Sequence, residues 1–337
     1  MYHDVIEKER YTSLEMTYGA YQEAAYLKNR LMEEYNGVSL SEAIDGEIIE
    51  TENGGCYHIE SHDFIDFKMI SFDHARQRII SNLKLIFGIG ESKEMTLKQS
   101  GYRTIEDLAE HPRFGPDAFV MLQIIRNGDL YPLMNRIEHW FPKSHALILY
   151  ASSLQNKEDY VILDIETMGM AARPIILIGV AVVSRKKITV HQYLVRDIRE
   201  EPAALLCFLS HVNQNSIFMT FNGRMFDMPY IRDRLRYYGI PADLQRSHID
   251  VLPFSRRAWK DDMPDCRLTT LEKHLLGVER QEDVPSALVP EFYRTYLRTR
   301  NVGPLIPVVK HNRQDILTLA LIYLRLHEML AREEYAC

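Results

Sequence analysis

Cysteine is scarce in this sequence, and its four copies are scattered. Cys56, Cys207, Cys266 and Cys337 form no CxxC pair and show none of the spacings that zinc modules use. We therefore expect neither a zinc finger nor a disulfide framework. The pattern predicts reduced thiols in a cytoplasmic protein.

The sequence also has little of what membrane and exported proteins need. Its longest uncharged apolar segment, from Pro174 to Val183, is too short to span a bilayer and suits a buried strand. The opening residues, MYHDVIEKERY, are charged and lack the apolar run of a signal peptide. We expect a cytoplasmic protein with no membrane partner.

An excess of positive charge is absent as well. The formal net charge is -7, which is not typical of a protein that binds nucleic acid. This weighs only mildly against a nucleic-acid function, because clustered carboxylates add negative charge that bound metal ions would neutralise.

What the chain does have is enough length for more than one domain. With 337 residues, 46% of them hydrophobic and 26% charged, two or three domains with a sizeable core are expected. We predict an accessory region at 1–74, a helical region at 75–140 and an α/β domain at 158–337. In the accessory region we predict a helix from Leu14 to Tyr35 and a β-hairpin from Glu47 to Glu60, which turns at an Asn-Gly pair. No chemistry is predicted for this region.

The helical region contains a glycine pattern that suits contact with phosphate groups. Gly88 and Gly90 interrupt a helical stretch and precede a second predicted helix, so backbone N–H groups at that helix start are open to a phosphate oxygen. The segment LIFGIGESKEMTLKQSGYRTIEDLAE resembles a helix-hairpin-helix module, which holds nucleic-acid backbones without reading bases. The alternative is a plain helical linker whose glycines are C-caps.

Strands and helices alternate in the third region, which follows a connector predicted at 142–157. Three successive strands followed by alternating helices and strands predict an α/β fold with a mixed sheet and helices on both faces. The predicted elements are strands 160–165, 175–183, 188–195 and 216–221, and helices 202–212 and 225–238.

Short stretches of this region supply four carboxylates. Asp164 and Glu166 stand two apart at the end of an apolar strand, so both side chains project to the same face. Asp227 opens a predicted helix, whose N-terminus favours the ionised carboxylate that binds metal. Read separately, the first pair is typical of a solvated turn and Asp227 is typical of a helix cap.

The fourth carboxylate lies on the predicted C-terminal helix together with a histidine. His311 and Asp315 are four residues apart and therefore share one helical face. Read alone, they fit an exposed helical pair equally well. Together with the other carboxylates they are what a two-metal phosphoryl-transfer site needs, because hard divalent cations take several oxygen ligands and the reaction needs a base beside them.

Three motifs in this order resemble those of the DEDD exonucleases of the ribonuclease H-like superfamily. LDIETMG is similar to their first motif and HNRQDILTL to their third, while FNGRMFDMPYIRDRL is similar to the second as found in the exonuclease domains of family B DNA polymerases. The chain also resembles the YprB-type group of predicted exonucleases, in which such a domain occurs outside any polymerase. The resemblance covers about residues 159–331 and implies a mixed five-stranded sheet flanked by helices.

The resemblance also implies an activity, which is hydrolysis of phosphodiester bonds by a 3′→5′ exonuclease with two Mg²⁺ or Mn²⁺ ions. Asp164 is then expected to ligate both ions. Glu166 and Asp315 would complete the ligands of one ion, and Asp227 would contribute to the other. His311 stands at the spacing of the tyrosine in one branch of the superfamily, not at that of the histidine in the other. We expect it to be neutral near pH 7 and either to accept a proton or to orient water.

Secondary candidates lie beside these motifs and in the helix that follows them. Thr167 either lines the nucleotide site or is only a strand-end hydroxyl, and Asn222 either contacts substrate or caps a turn. Trp259, with basic residues beside it, either stacks on a base next to phosphate contacts or belongs to a solvated face with one packed aromatic ring.

Other polar residues are interpreted as structural. Thr269 and Glu272 have the spacing of a capping box, and Asp250 stands at a strand end. Histidines outside the motifs, such as His58 and His62, show no ligand spacing.

Two alternatives to an exonuclease stay open from the sequence. An endonuclease or structure-specific nuclease on the same fold would use the same carboxylates, because residues do not show whether a free end is required. A catalytically inactive nucleic-acid-binding scaffold would have no chemical use for them. The choice between DNA and RNA, the protein partners and the oligomeric state are not encoded in the motifs.

Overall fold

A seven-stranded mixed β-sheet forms the centre of the protein. The computed structural model describes residues 18–170 and 172–333. In chain order the strands are β1 Glu47–Thr51, β2 Gly54–Phe64, β3 Tyr160–Thr167, β4 Ile175–Ser184, β5 Lys187–Leu194, β6 Ile217–Thr220 and β7 Ser247–Asp250. Across the sheet their order is β1-β2-β5-β4-β3-β6-β7.

The central strands are apolar because both faces of the sheet are covered. Strands β3 and β4 consist almost entirely of buried side chains, as is usual where helices lie on each side. Strand β3 pairs antiparallel with β4 and parallel with β6, and β6 pairs parallel with β7. The predicted α/β class with a mixed sheet is confirmed, and each predicted strand of the third region overlaps an observed one.

The hairpin of β1 and β2 extends the sheet beyond the five strands that the resemblance implied. It turns at an Asn-Gly pair in which Gly54 has a φ of +100°, a conformation that other residues rarely adopt. Strand β2 then pairs antiparallel with β5 along most of its length. Arg313 of the C-terminal helix donates to Ser61 Oγ at 2.8 Å and forms an ion pair with Asp63. The hairpin is therefore built into the main sheet.

Helices pack on both faces of this sheet. In chain order they are α1 Tyr18–Glu34, α2 Leu40–Ala43, α3 Phe72–Ile80, α4 Glu91–Gln99, α5 Ile105–Leu108, α6 Gly115–Asn127, α7 Leu130–Trp140, α8 Ala146–Ser152, α9 Glu201–Leu209, α10 Asp227–Tyr237, α11 Val251–Trp259, α12 Leu268–Leu271, α13 Val289–Thr299 and α14 Leu305–Ala331. Helix α14 contacts β3 and β4 on one face, while α9 contacts β2 and β4 on the other.

Alternation along β3 decides which side chains face which layer. Ile162 belongs to the apolar cluster that contains side chains of α14, whereas Val161 and Leu163 belong to the cluster of α9 and α10. Asp164 and Glu166 have the same parity as Ile162. Both therefore point to the α14 face.

The N-terminal helices share their core with the sheet. Apolar side chains of α3 and of α5 to α8 lie in the same cluster as those of α14. Local signals set the helix ends, since Thr104 forms a capping box with Asp107 and Gly128 ends α6 in the left-handed conformation. The cluster shows no break at residues 74 and 140, so the division there stays a sequence-based prediction.

Two local expectations are wrong, and one open alternative is decided. The stretch 142–157 is not a plain connector, because its apolar run ALILYA forms most of α8 and is buried. Of the two alternatives for Trp259, the packed aromatic ring is the one observed, because Trp259 lies in the core with 6% of its surface exposed and is unavailable for stacking on a base. Glu272 does not cap a helix with Thr269, because its carboxylate is buried in an ion pair with Arg280.

The described cysteines are free thiols. Cys56 and Cys207 are buried, and Cys266 is partly exposed. Cys337 and the start of the predicted first helix at Leu14 lie outside the described residues. No helix within the described ranges combines the length and the apolarity that crossing a bilayer requires.

Candidate metal-dependent active site

Strand β3 carries two acidic side chains to the place where α14 comes closest to the sheet. Asp164 lies opposite Gly179 of β4. A Cβ on Gly179 would lie 2.2 Å from Asn312 Oδ1 and 2.4 Å from Ile316 Cδ1, both on α14. Glycine therefore lets this helix approach the sheet directly beside Asp164 and Glu166.

Asn312 fixes the carboxylate of Asp164. Its Nδ2 donates to Asp164 Oδ2 at 2.7 Å and to the carbonyl oxygen of the same residue at 3.2 Å. Its Oδ1 accepts from Gln192 Nε2 at 2.9 Å, and the same nitrogen also donates to the carbonyl of Val309. Asn312 and Gln192 are buried. This hydrogen-bonded chain holds the carboxylate in one orientation.

Asp227 reaches the same place from the start of α10. It is the first residue of that helix and only 5% exposed. Its Oδ1 accepts the backbone N–H of Ile165 on β3 at 3.2 Å. The preceding loop is anchored by Asp250, which accepts from the backbone N–H groups of Asn222 at 2.7 Å and Arg224 at 3.2 Å. The end of β3 and the start of α10 thus meet at one point.

Arg224 ties this loop to the N-terminal helices. Its guanidinium donates to both carboxylate oxygens of Glu138 on α7, at 3.1 and 2.6 Å, and to the carbonyl of His248 on β7. The two charged side chains are only 24% and 19% exposed, so this bidentate pair is partly shielded from solvent. Helix α7 therefore supports the loop that leads to Asp227.

One turn of α14 presents His311 and Asp315. The Nε2 atom of His311 lies 3.4 Å from Asp315 Oδ2 and 3.9 Å from Glu166 Oε1. Its Nδ1 atom lies 2.7 Å from Asp283 Oδ1, and Ser286 Oγ lies 3.2 Å from Nε2. The imidazole is 4% exposed and held at both nitrogens. It joins the acids of β3 to the acid of α14.

Arg280 supplies a second buried cation. Its Nη2 atom lies 2.5 Å from Asp315 Oδ1 and 2.6 Å from Glu272 Oε2, and its Nη1 atom lies 3.6 Å from Asp283 Oδ2. Thr318 also donates to Glu272 Oε2 at 2.7 Å. The guanidinium is 9% exposed. It neutralises the side of the site that faces α14 and the segment after α12.

Burial keeps the acids of β3 and α10 from ionising freely. It raises the pKa of Asp164 well above its usual range, and the nearby charges of Asp315 and Glu166 raise it further. Burial likewise raises the pKa of Glu166 to about 8 and that of Asp227 to about 7. These are the directions expected of carboxylates crowded in a dry site without enough positive charge.

The surroundings of His311 favour its charged form. Burial opposes its charge, but the hydrogen bond with Asp283 and the charges of Asp315 and Glu166 raise its pKa to about 9. Burial would raise the pKa of Asp283, and the contact with His311 lowers it instead. A neutral His311 near pH 7 stays a prediction, because it refers to the site with bound metal ions. A cation bound nearby would lower the pKa of the imidazole again.

The charges and the donor atoms fit divalent cations. Two cationic side chains, Arg280 and His311, face six carboxylates, which leaves four negative charges at full ionisation, as many as two divalent ions would neutralise. No three acidic or histidine side chains of this network bring ligand atoms within 4.8 Å of one another, so the described site is more open than a cage for one ion. Carboxylate oxygens are the ligands that Mg²⁺ and Mn²⁺ prefer. The six carboxylates are those of Asp164, Glu166, Asp227, Glu272, Asp283 and Asp315.

The other predicted site residues have different surroundings. Thr167 donates its hydroxyl to the carbonyl of Gly169 at 2.8 Å, within the turn after β3. Asn222 is exposed and has a φ of +66°, a conformation that asparagine tolerates better than most residues. Gly88 and Gly90 lie in an exposed loop, with Gly90 as the N-cap of α4.

The side chains that hold the acids carry only weak signals in the sequence. Asn312 stands next to His311 in the third motif, and a polar amide on a largely apolar helix was the available signal. Arg280 and Asp283 lie in the segment VERQEDVP, whose charges are typical of an exposed loop. Only the folded chain brings this segment against α14.

Comparison with known proteins concerns the part of the chain that carries this site. Residues 161–327 match the family model described as RNase_H superfamily. The chain is also similar to the uncharacterized protein YprB of Bacillus subtilis (strain 168), with 31% identity over 274 residues. That alignment covers 73% of this chain and 64% of the relative, so the chain spans less than two thirds of the relative's length. The family match runs from β3 into α14 and includes the four motif carboxylates and His311.

Proposed function

We propose that this chain, whose residues 161–327 match the family model described as RNase_H superfamily, is a metal-dependent nuclease that hydrolyses phosphodiester bonds. That match supports hydrolysis of this type. The observation that carries the proposal is the convergence of the four motif carboxylates in one largely buried network with His311. An inactive scaffold would gain nothing from such a cluster, because uncompensated buried carboxylates destabilise the fold.

Two divalent ions held by Asp164, Glu166, Asp227 and Asp315 would activate a water molecule and stabilise the leaving oxygen. The protein prepares these ligands in advance. Asn312 orients the Asp164 carboxylate through its Oδ2 atom, and the backbone N–H of Ile165 does the same for Asp227. Ligands oriented in this way lose little entropy when the ions and the substrate bind.

We propose that Nε2 of His311 is the atom that accepts or donates a proton in the reaction. Asp283 occupies Nδ1 and thereby turns Nε2 towards Glu166 and Asp315. Without metal the imidazole holds a proton there, because the surrounding acids favour its charged form. Positive charge arriving at the acids removes that preference. The imidazole is then able to exchange a proton with the reacting groups.

The finer proposal is a 3′→5′ exonuclease, and it is supported by the resemblance of the three motifs to DEDD exonucleases. Thr167 and Asn222 are proposed to contact substrate, because they flank the acids at the end of β3 and at the start of the loop before α10. Gly88 and Gly90 are proposed to hold a nucleic-acid backbone through the N–H groups at the start of α4.

The test is degradation of 5′-labelled single- and double-stranded DNA and RNA with Mn²⁺, comparing the wild type with Asp164→Asn. The substitution keeps the size of the side chain and its contact with Asn312 but removes a charged ligand. We expect cleavage to fall by about a thousandfold or more. Asp233→Asn, on the exposed side of α10 where Asp233 pairs with Arg236, is the matched control and should cleave as fast as the wild type.

Full activity of Asp164→Asn would contradict the site assignment. Comparing linear with covalently closed substrates then tests the exonuclease proposal. Products shortened stepwise from the 3′ end support it, whereas cleavage of closed circles identifies an endonuclease.

A further inference from the structure

A second group of metal-ligating side chains lies on the opposite face of the sheet. Strand β2 carries His58, Glu60 and His62 at alternate positions, so these side chains share one face. His191 of β5 stands directly opposite Glu60. Its neighbour Gln192 bonds to α14, so His191 points the other way, towards the α9 face. The sheet therefore separates this group from the acidic network.

The spacing of three ligand atoms in this group is close to that of a metal site. His58 Nε2 lies 3.0 Å from His191 Nδ1, which lies 3.4 Å from Glu60 Oε2. Within the described part of the chain, this is the one set of three such side chains whose ligand atoms all lie within 4.8 Å of one another. Ligand atoms around a tetrahedral ion with bonds of about 2.0–2.1 Å stand about 3.3 Å apart. Small side-chain shifts would therefore complete the site.

The two imidazoles are partly shielded from solvent, whereas the carboxylate is open to it. Burial lowers the pKa of His58, and burial together with the neighbouring His58 lowers that of His191. Neutral imidazoles are the metal-binding form. The Glu60 side chain is 45% exposed, so an ion can enter from solution and keep a water ligand on that side.

Further contacts orient the side chains of this group. The ring of His211 lies 4.8 Å from that of His191, and its Nε2 atom lies 2.6 Å from the hydroxyl of Tyr193. His62 Nε2 lies 3.2 Å from Glu60 Oε1, the oxygen that does not face His191. Partners of this kind orient ligands in metal sites.

We propose that His58, Glu60 and His191 bind a transition-metal ion of the Zn²⁺ type, with water as the fourth ligand. Two imidazoles and one carboxylate suit Zn²⁺, whereas Mg²⁺ and Ca²⁺ prefer oxygen ligands alone. Because the ligands come from β2 and β5, the ion fastens the N-terminal hairpin to the central sheet. The site is independent of the proposed nuclease activity.

The test is calorimetric titration of the chelator-treated full-length protein with Zn²⁺, with Co²⁺ as a spectroscopic probe. The wild type should bind one ion at this site and show the strong visible absorption of tetrahedral Co²⁺. We expect Glu60→Gln to bind Zn²⁺ about tenfold more weakly than the wild type does. His191→Gln should bind it at least about a hundredfold more weakly. Asp164→Asn, on the other face, and His139→Gln, which removes an exposed histidine of α7, should keep this binding.

Unchanged Zn²⁺ affinity in both Glu60→Gln and His191→Gln would overturn the proposal. So would binding that Asp164→Asn alone abolishes, because the ion would then belong to the acidic network. Thermal unfolding provides a second readout, in which Zn²⁺ should raise the melting temperature of the wild type more than that of Glu60→Gln. Circular dichroism without metal checks that both variants fold, and Glu60→Gln changes only a half-exposed side chain.

Discussion

Arg280 and His311 neutralise only one side of the acidic network. Arg280 contacts Asp315 directly, and His311 lies between Asp283 and the acids of the site. Asp164, on β3, is held instead by the uncharged amide of Asn312. Buried ion pairs cost desolvation and add little net stability, so their value here is in orientation. Burial raises the pKa of Asp164, and the amide supplies no positive charge to offset that rise.

We predict that Asp164→Asn stabilises the protein when no metal is present. The folded pKa of Asp164 is raised above the unfolded value, so its unfavourable contribution is present at about pH 8 and disappears below about pH 4. In EDTA at about pH 8 the melting temperature should rise by about 2–4 °C. The rise that Mn²⁺ produces in the wild type should be lost. Scanning fluorimetry with EDTA and with Mn²⁺ measures both, and a variant less stable than the wild type in EDTA would refute the prediction.

We predict that Asp283→Asn lowers kcat without a comparable change in KM. Asp283 positions His311 and favours its charged form, but it is not one of the proposed metal ligands. Loss of such a supporting contact should reduce kcat by about 10- to 100-fold, measured with the nuclease substrate that the wild type degrades best. Glu282→Gln changes the exposed neighbour, which pairs with Arg30 outside the site, and should leave kcat unchanged. A large change in KM alone would instead give Asp283 a role in substrate binding.

Among the elements, the approach of α14 to β4 is what assembles the site. At Gly179 no side chain separates β4 from Asn312 and Ile316, and an added Cβ would overlap both. The same contact sets the distance between β3 and His311. Strand β3 is the neighbour of β4, and His311 is the residue before Asn312. An error in this packing would therefore be transmitted to every proposed ligand on α14.

We predict that Gly179→Ala destabilises the fold and abolishes cleavage. The added Cβ overlaps the Asn312 amide, which must move away from Asp164. Overpacking of this kind costs about 1–3 kcal/mol, which urea unfolding measures directly. Gly90→Ala is the control, because nothing lies within 4 Å of a Cβ there, and its cost should stay below about 1 kcal/mol. Equal stability of the two variants would contradict the proposed packing.

The elements show which parts of the structure the sequence could predict. The RNase H-like fold is confirmed, because apolar strands, helix starts and turn glycines are local signals. Glu272 was misinterpreted because its spacing from Thr269 imitates a cap, while its partner Arg280 is found only in the folded chain. The motif carboxylates could be named in advance because three short motifs in this order resemble those of the DEDD exonucleases. The charges that surround them could not, because Asp283 becomes a neighbour of His311 only through tertiary packing.

In the whole molecule, two sets of buried groups have opposite effects on the stability of the fold as the pH changes. Burial lowers the pKa of His248 and His327 to about 3 and that of His145 and His211 to about 4. Their folded pKa lies below the unfolded value, so stability is lost as the pH falls below about 6.5. The acids of the active site have raised values, so their unfavourable contribution grows as the pH rises from about 4 to about 8. Stability without metal should therefore peak at about pH 6.

We predict that His327→Gln reduces the loss of stability that the protein shows at acid pH. His327 is 1% exposed, and at about pH 5 its shift corresponds to about 2 kcal/mol of lost stability. The difference in unfolding free energy between about pH 7 and about pH 5 should be smaller by that amount in the variant. His274→Gln, which changes an exposed histidine, should keep the wild-type difference. Urea unfolding at the two pH values measures this difference. An equal difference in the wild type and both variants would contradict the role assigned to His327.

The hairpin of β1 and β2 has a consequence for how copies of this protein avoid one another. An unpaired strand at the rim of a sheet offers its N–H and C=O groups to any extended chain that passes. Strand β5 would be such a rim if β2 did not cover it. The first strand in the sequence takes the outer place instead, with five residues rather than eight. The hairpin therefore leaves a shorter free strand at this rim of the sheet than β5 would offer, and short edge strands are less prone to pair with a second copy.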